Sequence, residues 1–189
     1  MMELTLVILI AVIVLSITSI FLADSARSAL IFLGVLYLCE FYLLMQVWPL
    51  GLAAVNLITG LLTIVIINSF CSNLRFELST PRIALDILMV VFVGIITFAF
   101  APQLTAYLTE PSQFLIIGFF LFATGLLQAG TSRNAFRILI SLLILYSGFQ
   151  VIYAPLEGSA LVTALMSFIQ IVLAFVVSRL IARNREDLL

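Results

Sequence analysis

Long apolar runs alternate with short polar segments along almost the whole chain of 189 residues. About 20 apolar residues cross a bilayer as an α-helix, and seven runs reach or approach that length. The segments between them are rich in Gly, Pro, Asn and Ser, which favour turns and helix ends. The pattern predicts an all-α integral membrane protein with seven transmembrane helices, over residues 3–23, 28–48, 50–71, 83–104, 113–130, 134–154 and 158–181.

The composition also points to the lipid bilayer as the surroundings of the chain. Hydrophobic residues make up 65% and charged residues 9% of it, whereas a globular domain is about half apolar and about a quarter charged. Histidine is absent, and Cys39 and Cys71 lie in separate apolar runs, so a metal, haem or iron–sulfur site has almost no ligands. We expect no catalytic residue, cofactor or metal in this chain, and no nucleic-acid partner.

The arginines predict the orientation. Seven crossings place all eight basic residues on one face: Arg27, Arg75, Arg82, Arg133, Arg137, Arg179, Arg183 and Arg185. The opposite face carries Glu3, Glu110 and Glu157. Because loops rich in arginine stay in the cytoplasm, we expect the N-terminus outside and the C-terminus inside. Six or eight crossings would divide the arginines between the two faces.

Two stretches of the chain align without a gap. Arg27 and Pro49 are as far apart as Arg133 and Pro155, so "SARSALIFLGVLYLCEFYLLMQVWPL" lies over "TSRNAFRILISLLILYSGFQVIYAPL". Helices 1–3 then form a distant copy of helices 5–7 in the same orientation, a parallel repeat. The predicted 3+1+3 organisation is a first repeat at 1–72, a linker with helix 4 at 73–112, and a second repeat with a short cytoplasmic tail at 113–189. Chance matching of leucine-rich sequence is the alternative.

Glu40 lies deep in the second predicted helix. A bare charge at that depth costs several kcal/mol or more, so the carboxyl should be neutral, paired or functional. Asn56, in the third helix, lies at a similar depth and is the expected hydrogen-bond partner. Two roles stay open: a neutral polar contact between helices, and a titratable station or ion contact.

Polar and small residues form one stripe on each of two predicted helices. The third helix carries Asn56, Thr59, Gly60 and Thr63, and the seventh carries Thr163, Ser167, Gln170 and Ala174. Such stripes usually let membrane helices pack closely, which is the favoured interpretation, and a hydrated path is the alternative. The candidate titratable or polar path comprises Glu40, Asn56, Thr59, Thr63, Tyr146, Ser167 and Gln170, where Tyr146 is the repeat counterpart of Glu40.

The stretch from about Gly125 to Arg183, with its "SRN" turn and a last helix ending in arginines, resembles a family of small membrane subunits. It is similar to the K subunit of respiratory complex I and the C subunit of multi-subunit cation/proton antiporters. The seven-helix plan resembles component E of hydrogenase-4. The resemblance implies a bacterial or archaeal cytoplasmic membrane, larger antiporter-like subunits as neighbours, and a peripheral redox arm that holds nickel–iron or iron–sulfur centres.

The chain departs from this family at the acidic positions. The K subunit has acids where the alignment places Leu143 and, within one residue, Gln170, and component E has one where it places Tyr146. None of these is acidic here, so the only acid at that level is Glu40, in the other copy. We expect a non-catalytic subunit of an oxidoreductase complex that couples or seals an ion pathway. A stand-alone transporter and a membrane anchor or assembly factor are the alternatives.

Overall fold

The computed structural model describes residues 2–71, 80–107, 112–156 and 158–186. In these ranges the chain forms seven α-helices, which agree with the seven predicted runs to within a few residues at each end. The helices are α1 Met2–Phe21, α2 Ala26–Leu44, α3 Leu50–Cys71, α4 Thr80–Tyr107, α5 Ser112–Thr131, α6 Ala135–Tyr153 and α7 Ala160–Glu186. The predicted all-α class is therefore confirmed for the described part of the chain.

Six of these helices, α2 to α7, are long and apolar enough to cross a membrane. The apolar part of α1, Thr5–Phe21, is shorter, so a seventh crossing stays a prediction. The orientation does too, because Arg75, Glu110 and Glu157, on which it partly depends, lie outside the described residues. The helices suit a multi-pass membrane protein by length and composition.

Side-chain caps fix the start of α2 and α6. Ser25 has an extended backbone, and its hydroxyl accepts a hydrogen bond from the Ser28 amide at 3.2 Å. Asn134 does the same for α6, where Oδ1 accepts from the Phe136 amide at 2.9 Å. Each cap satisfies an amide that the first turn of a helix leaves without a partner. Both helices therefore begin at the polar segments that the hydropathy pattern marked as turns.

Glycines bring the backbones of α5 and α6 into direct contact. A Cβ atom on Gly125 would lie 2.5 Å from the Leu145 nitrogen, and one on Gly148 would meet the backbone at Phe122. Gly118 faces the α6 backbone at Gly148 and Ile152 in the same way. Membrane helices approach this closely only where small residues line the contact. The α5–α6 pair is consequently the most tightly joined pair of neighbours in the described bundle.

Both polar stripes face the interior of the bundle. Helix α3 packs along α7, and Thr59 and Thr63 of α3 are buried, as are Ser167 and Gln170 of α7. Burial of the stripes accords with the favoured interpretation, which is helix packing. Helix α2 packs against α1, α3 and α6, so Glu40 lies inside the bundle and not on its surface.

The outer faces of α4 and α7 are apolar. Only 22% of the apolar segment of each is buried, against 61% of α6. Large exposed side chains on these two helices include Leu88, Phe92, Ile95, Phe98, Leu161, Leu165, Phe168 and Val176. These faces are suited to lipid or to another membrane subunit, whereas α6 is the central helix of the bundle.

The internal repeat stays a prediction, although one contact accords with it. The Trp48 indole donates to the Ala154 carbonyl at 2.9 Å, and these two residues are counterparts in the alignment. Helices α2 and α6 contact each other, as do α3 and α7. Two copies related by a two-fold axis would bring equivalent residues and equivalent helices into contact in this way. The predicted linker, 73–112, contains α4, and the boundary residues 72–79 and 108–111 lie outside the described ranges.

Candidate functional site

Glu40 and Asn56 form the predicted hydrogen bond. Asn56 Nδ2 donates to Glu40 Oε1 at 3.1 Å, and the two residues are only 2% and 4% exposed. They meet because the short connection at 45–49 reverses the chain between α2 and α3, which places residues at similar distances from that turn at the same depth. The prediction of this pair from depth alone is confirmed.

Gln150 of α6 extends the pair into a chain of three residues. Its Nε2 donates to Asn56 Oδ1 at 2.9 Å, so Asn56 accepts at one end of its amide and donates at the other. Gln150 was not among the predicted site residues. Its depth, five residues before Pro155, can be read from the sequence, but the fact that α6 runs beside α2 cannot. Three helices are thus joined through neutral amides to one carboxyl.

Tyr37 and Gln170 make a second contact one helical turn away. Gln170 Nε2 donates to the Tyr37 hydroxyl at 2.9 Å, and both side chains are buried. Tyr37 precedes Glu40 by three residues, which places both on one face of α2, and its hydroxyl lies within electrostatic reach of the carboxyl. Gln170 was a predicted path residue, whereas Tyr37 was not among the candidates.

The other four predicted path residues make no hydrogen bond with Glu40 among the described residues. The Tyr146 hydroxyl donates to the Met166 carbonyl on α7, although its charge environment includes Glu40. The Thr59 hydroxyl donates to the Val55 carbonyl of its own helix at 2.8 Å. Thr63 Oγ1 and Ser167 Oγ are buried without a hydrogen-bond partner among the described residues. These four residues belong to α3, α6 and α7, but none of them extends the hydrogen-bonded chain that runs from Glu40 through Asn56 to Gln150.

Unpartnered oxygens concentrate around the carboxyl. Ser147 lies close enough to the Glu40 carboxyl to interact with it, yet neither Ser147 Oγ nor Glu40 Oε2 completes a hydrogen bond among the described residues. Gln150 Oε1 and Gln170 Oε1 are unpartnered in the same sense. Since buried polar atoms almost always have a partner, these oxygens have capacity for hydrogen bonds beyond those among the described residues. We define Tyr37, Glu40, Asn56, Ser147, Gln150 and Gln170 as the Glu40 cluster.

A second buried polar contact lies towards the end of the bundle that carries Arg27 and Arg133. Arg137 of α6 donates to Asp86 Oδ2 of α4 at 3.3 Å and to the Phe21 carbonyl at 3.1 Å. Asp86 is only 2% exposed. The sequence analysis used Arg137 for orientation alone and did not select Asp86. Asp86 is an acid inside the apolar run of α4, and this feature of the sequence could have identified it as a candidate.

Neither cysteine is paired, since Cys39 and Cys71 are both free and buried. Among the described residues, no group of three or more His, Cys, Asp or Glu side chains could hold a metal ion. No protein-family model, curated protein or solved structure matches this chain. The site is a buried carboxyl that neutral amides orient and whose Oε2 has no hydrogen-bond partner among the described residues.

Proposed function

We propose that this chain is a non-redox membrane subunit of a hydrogenase-like or complex I-like respiratory assembly, in which the Glu40 cluster is a protonatable station beside an ion pathway. The proposal extends the resemblance of the second half of the chain to small subunits of such assemblies. In that setting, larger antiporter-like subunits carry most of the ion transport and a peripheral arm carries the redox centres. This chain packs beside them and couples or seals the pathway.

The observation that supports this role is the hydrogen-bonded chain from Gln150 through Asn56 to Glu40. Glu40 Oε1 accepts from Asn56, and this bond can persist whether the carboxyl is neutral or ionised. Oε2 has no partner among the described residues, so it is the atom on which a proton can bind and leave. An ionised acid inside the membrane is costly. The neutral amides orient the carboxyl, so that the proton binds at one defined oxygen, Oε2.

Two substitutions of Glu40, measured side by side, test the station. Glu40→Gln keeps the shape and the hydrogen bond from Asn56 but cannot release a proton as an acid. It should slow or abolish ion-coupled turnover while the assembly stays intact. Glu40→Leu also removes the hydrogen bond, which costs roughly 0.6 to 2 kcal/mol between membrane helices, so assembly should weaken without failing. Unchanged turnover in Glu40→Gln would leave Glu40 as a neutral contact between α2 and α3.

A stand-alone transporter is the second candidate, and one observation favours it. All six residues of the Glu40 cluster come from α2, α3, α6 and α7 of one chain, so the cluster forms without a partner subunit. Purification of a tagged copy in mild detergent separates the two proposals. We expect several membrane subunits and a peripheral arm to purify with the chain. A monodisperse preparation of the chain alone that transports ions in vesicles would instead establish the second candidate.

A further inference from the structure

A small cavity lies beside the Asp86–Arg137 pair, in a part of the bundle that the proposed function does not use. Its lining includes Phe21, Gln128, Phe136, Arg137 and Ser141. Gln128 is only 2% exposed, and its Oε1 is buried without a hydrogen-bond partner among the described residues. A buried amide oxygen that borders a cavity indicates that something in the cavity donates a hydrogen bond to it.

The size of the cavity limits what it can hold. Its volume is about 10 Å³, which is at the lower limit for a single water molecule. A buried water needs two to four polar neighbours, and the lining supplies the Gln128 amide oxygen, the Ser141 hydroxyl and the Arg137 guanidinium. The Ser141 hydroxyl donates to the Arg137 carbonyl at 2.7 Å, and its oxygen keeps the capacity to accept.

The charges around the cavity favour a neutral occupant. Arg137 disfavours a cation there, whereas the Asp86 carboxylate and the Gln128 amide oxygen disfavour an anion. Water can donate to Gln128 Oε1 and accept from a neighbouring donor in the same position. We infer that this cavity binds one water molecule, held by Gln128 beside the Asp86–Arg137 pair, and that it forms a second polar centre of the bundle.

The Glu40 cluster lies further along α6 from this centre. Ser141 borders the cavity and Ser147 lies near Glu40, a separation of six residues or about 9 Å of helix. Between them, Leu143 and Ile144 are completely buried.

Labelling by hydroxyl radicals, generated from water by X-ray radiolysis, tests the inference in native membranes that contain the full chain. Phe21 and Phe136 line the cavity and are buried, so a bound water should make them react several-fold faster than Phe120. Phe120 is the matched control, because it is also buried and lines a largely apolar cavity of about 190 Å³. Apolar cavities stay dry.

Substitution of Gln128 shows whether that residue holds the water. Gln128→Leu removes the acceptor oxygen. Gln128→Met also removes it, has a shape closer to that of glutamine, and is the variant to use if Gln128→Leu fails to fold. Either should lower the labelling of Phe21 and Phe136 to the level of Phe120. The inference is overturned if the two phenylalanines react no faster than Phe120 in the unmodified chain. It is also overturned if their labelling in both Gln128 variants equals that in the unmodified chain.

Discussion

At the scale of single residues, Tyr37 depends on a glycine in the neighbouring helix. A Cβ atom on Gly60 would lie 2.8 Å from the Tyr37 ring carbon Cγ, so the ring lies flat against the α3 backbone. The hydroxyl of the same side chain accepts from Gln170 on α7. Gly60 therefore creates the space that lets one residue of α2 contact both α3 and α7.

We expect Gly60→Ala to destabilise the protein by about 1 to 3 kcal/mol, because overpacking at a buried contact forces side chains or backbone to shift. Thermal unfolding in detergent should show a clearly lower Tm. Gly51→Ala is the matched control, since Gly51 also lies in α3 but a Cβ there meets nothing within 4 Å. Equal Tm values for the two variants would show that the Tyr37 ring moves aside without cost.

Single residues also show how much of the candidate site could be predicted from the sequence. Depth along two consecutive helices was enough to pair Glu40 with Asn56. Gln150 and Tyr37 required knowing which helices are neighbours and how each is rotated, and apolar runs without strong amphipathic character do not encode that. Asp86 and Arg137 are far apart in the chain, so no local pattern connects them.

At the scale of elements, the Asp86–Arg137 pair joins three helices. Arg137 lies in the first turn of α6, Asp86 belongs to α4, and the Phe21 carbonyl that accepts from Arg137 ends α1. Helix α4 is otherwise mostly exposed along its apolar segment. The ion pair therefore fixes α4 to the central helix of the bundle at the end that carries Arg133.

We expect Asp86→Asn to destabilise the protein by about 3 to 5 kcal/mol, because it removes the carboxylate that lies 3.3 Å from the buried guanidinium. The double variant Asp86→Leu with Arg137→Met should recover much of this loss, since it removes both charges together. A double-mutant cycle of Asp86→Leu, Arg137→Met and their combination, measured by thermal unfolding, gives the coupling between the two positions. Additive single effects would mean that the two side chains act independently.

At the scale of the whole molecule, the sequence predicts helix positions far better than helix neighbours. The hydropathy runs and the turn residues placed all seven helices of the described ranges, because length and polarity decide where a helix can lie in a bilayer. The backbone contact of α5 with α6 is decided by which small residues face each other across the bundle. Hydropathy carries no information on that choice.

The arrangement of the whole chain across the membrane is tested with reporter fusions. Fusions at Ser79, Glu110, Ser132 and Glu157 should report cytoplasmic, external, cytoplasmic and external positions in turn, because arginine-rich loops are retained in the cytoplasm. A further fusion at the N-terminus should report outside, which decides whether α1 crosses. Any other order would contradict the seven crossings and the parallel repeat together.

The glycine contacts of α5 and α6 also have a mechanical consequence. Where two helix backbones touch, neither helix can rotate or slide relative to the other unless a side chain is forced against the opposing main chain. Helix α1 contains no glycine, so α1 and α2 meet through flexible side chains, which yield more easily. We therefore expect α5 and α6 to move as one stiff unit, whereas α1 and α2 can shift more easily relative to each other. If Glu40 binds and releases a proton as proposed, α2 would take up the displacement and the α5–α6 pair would be its fixed support.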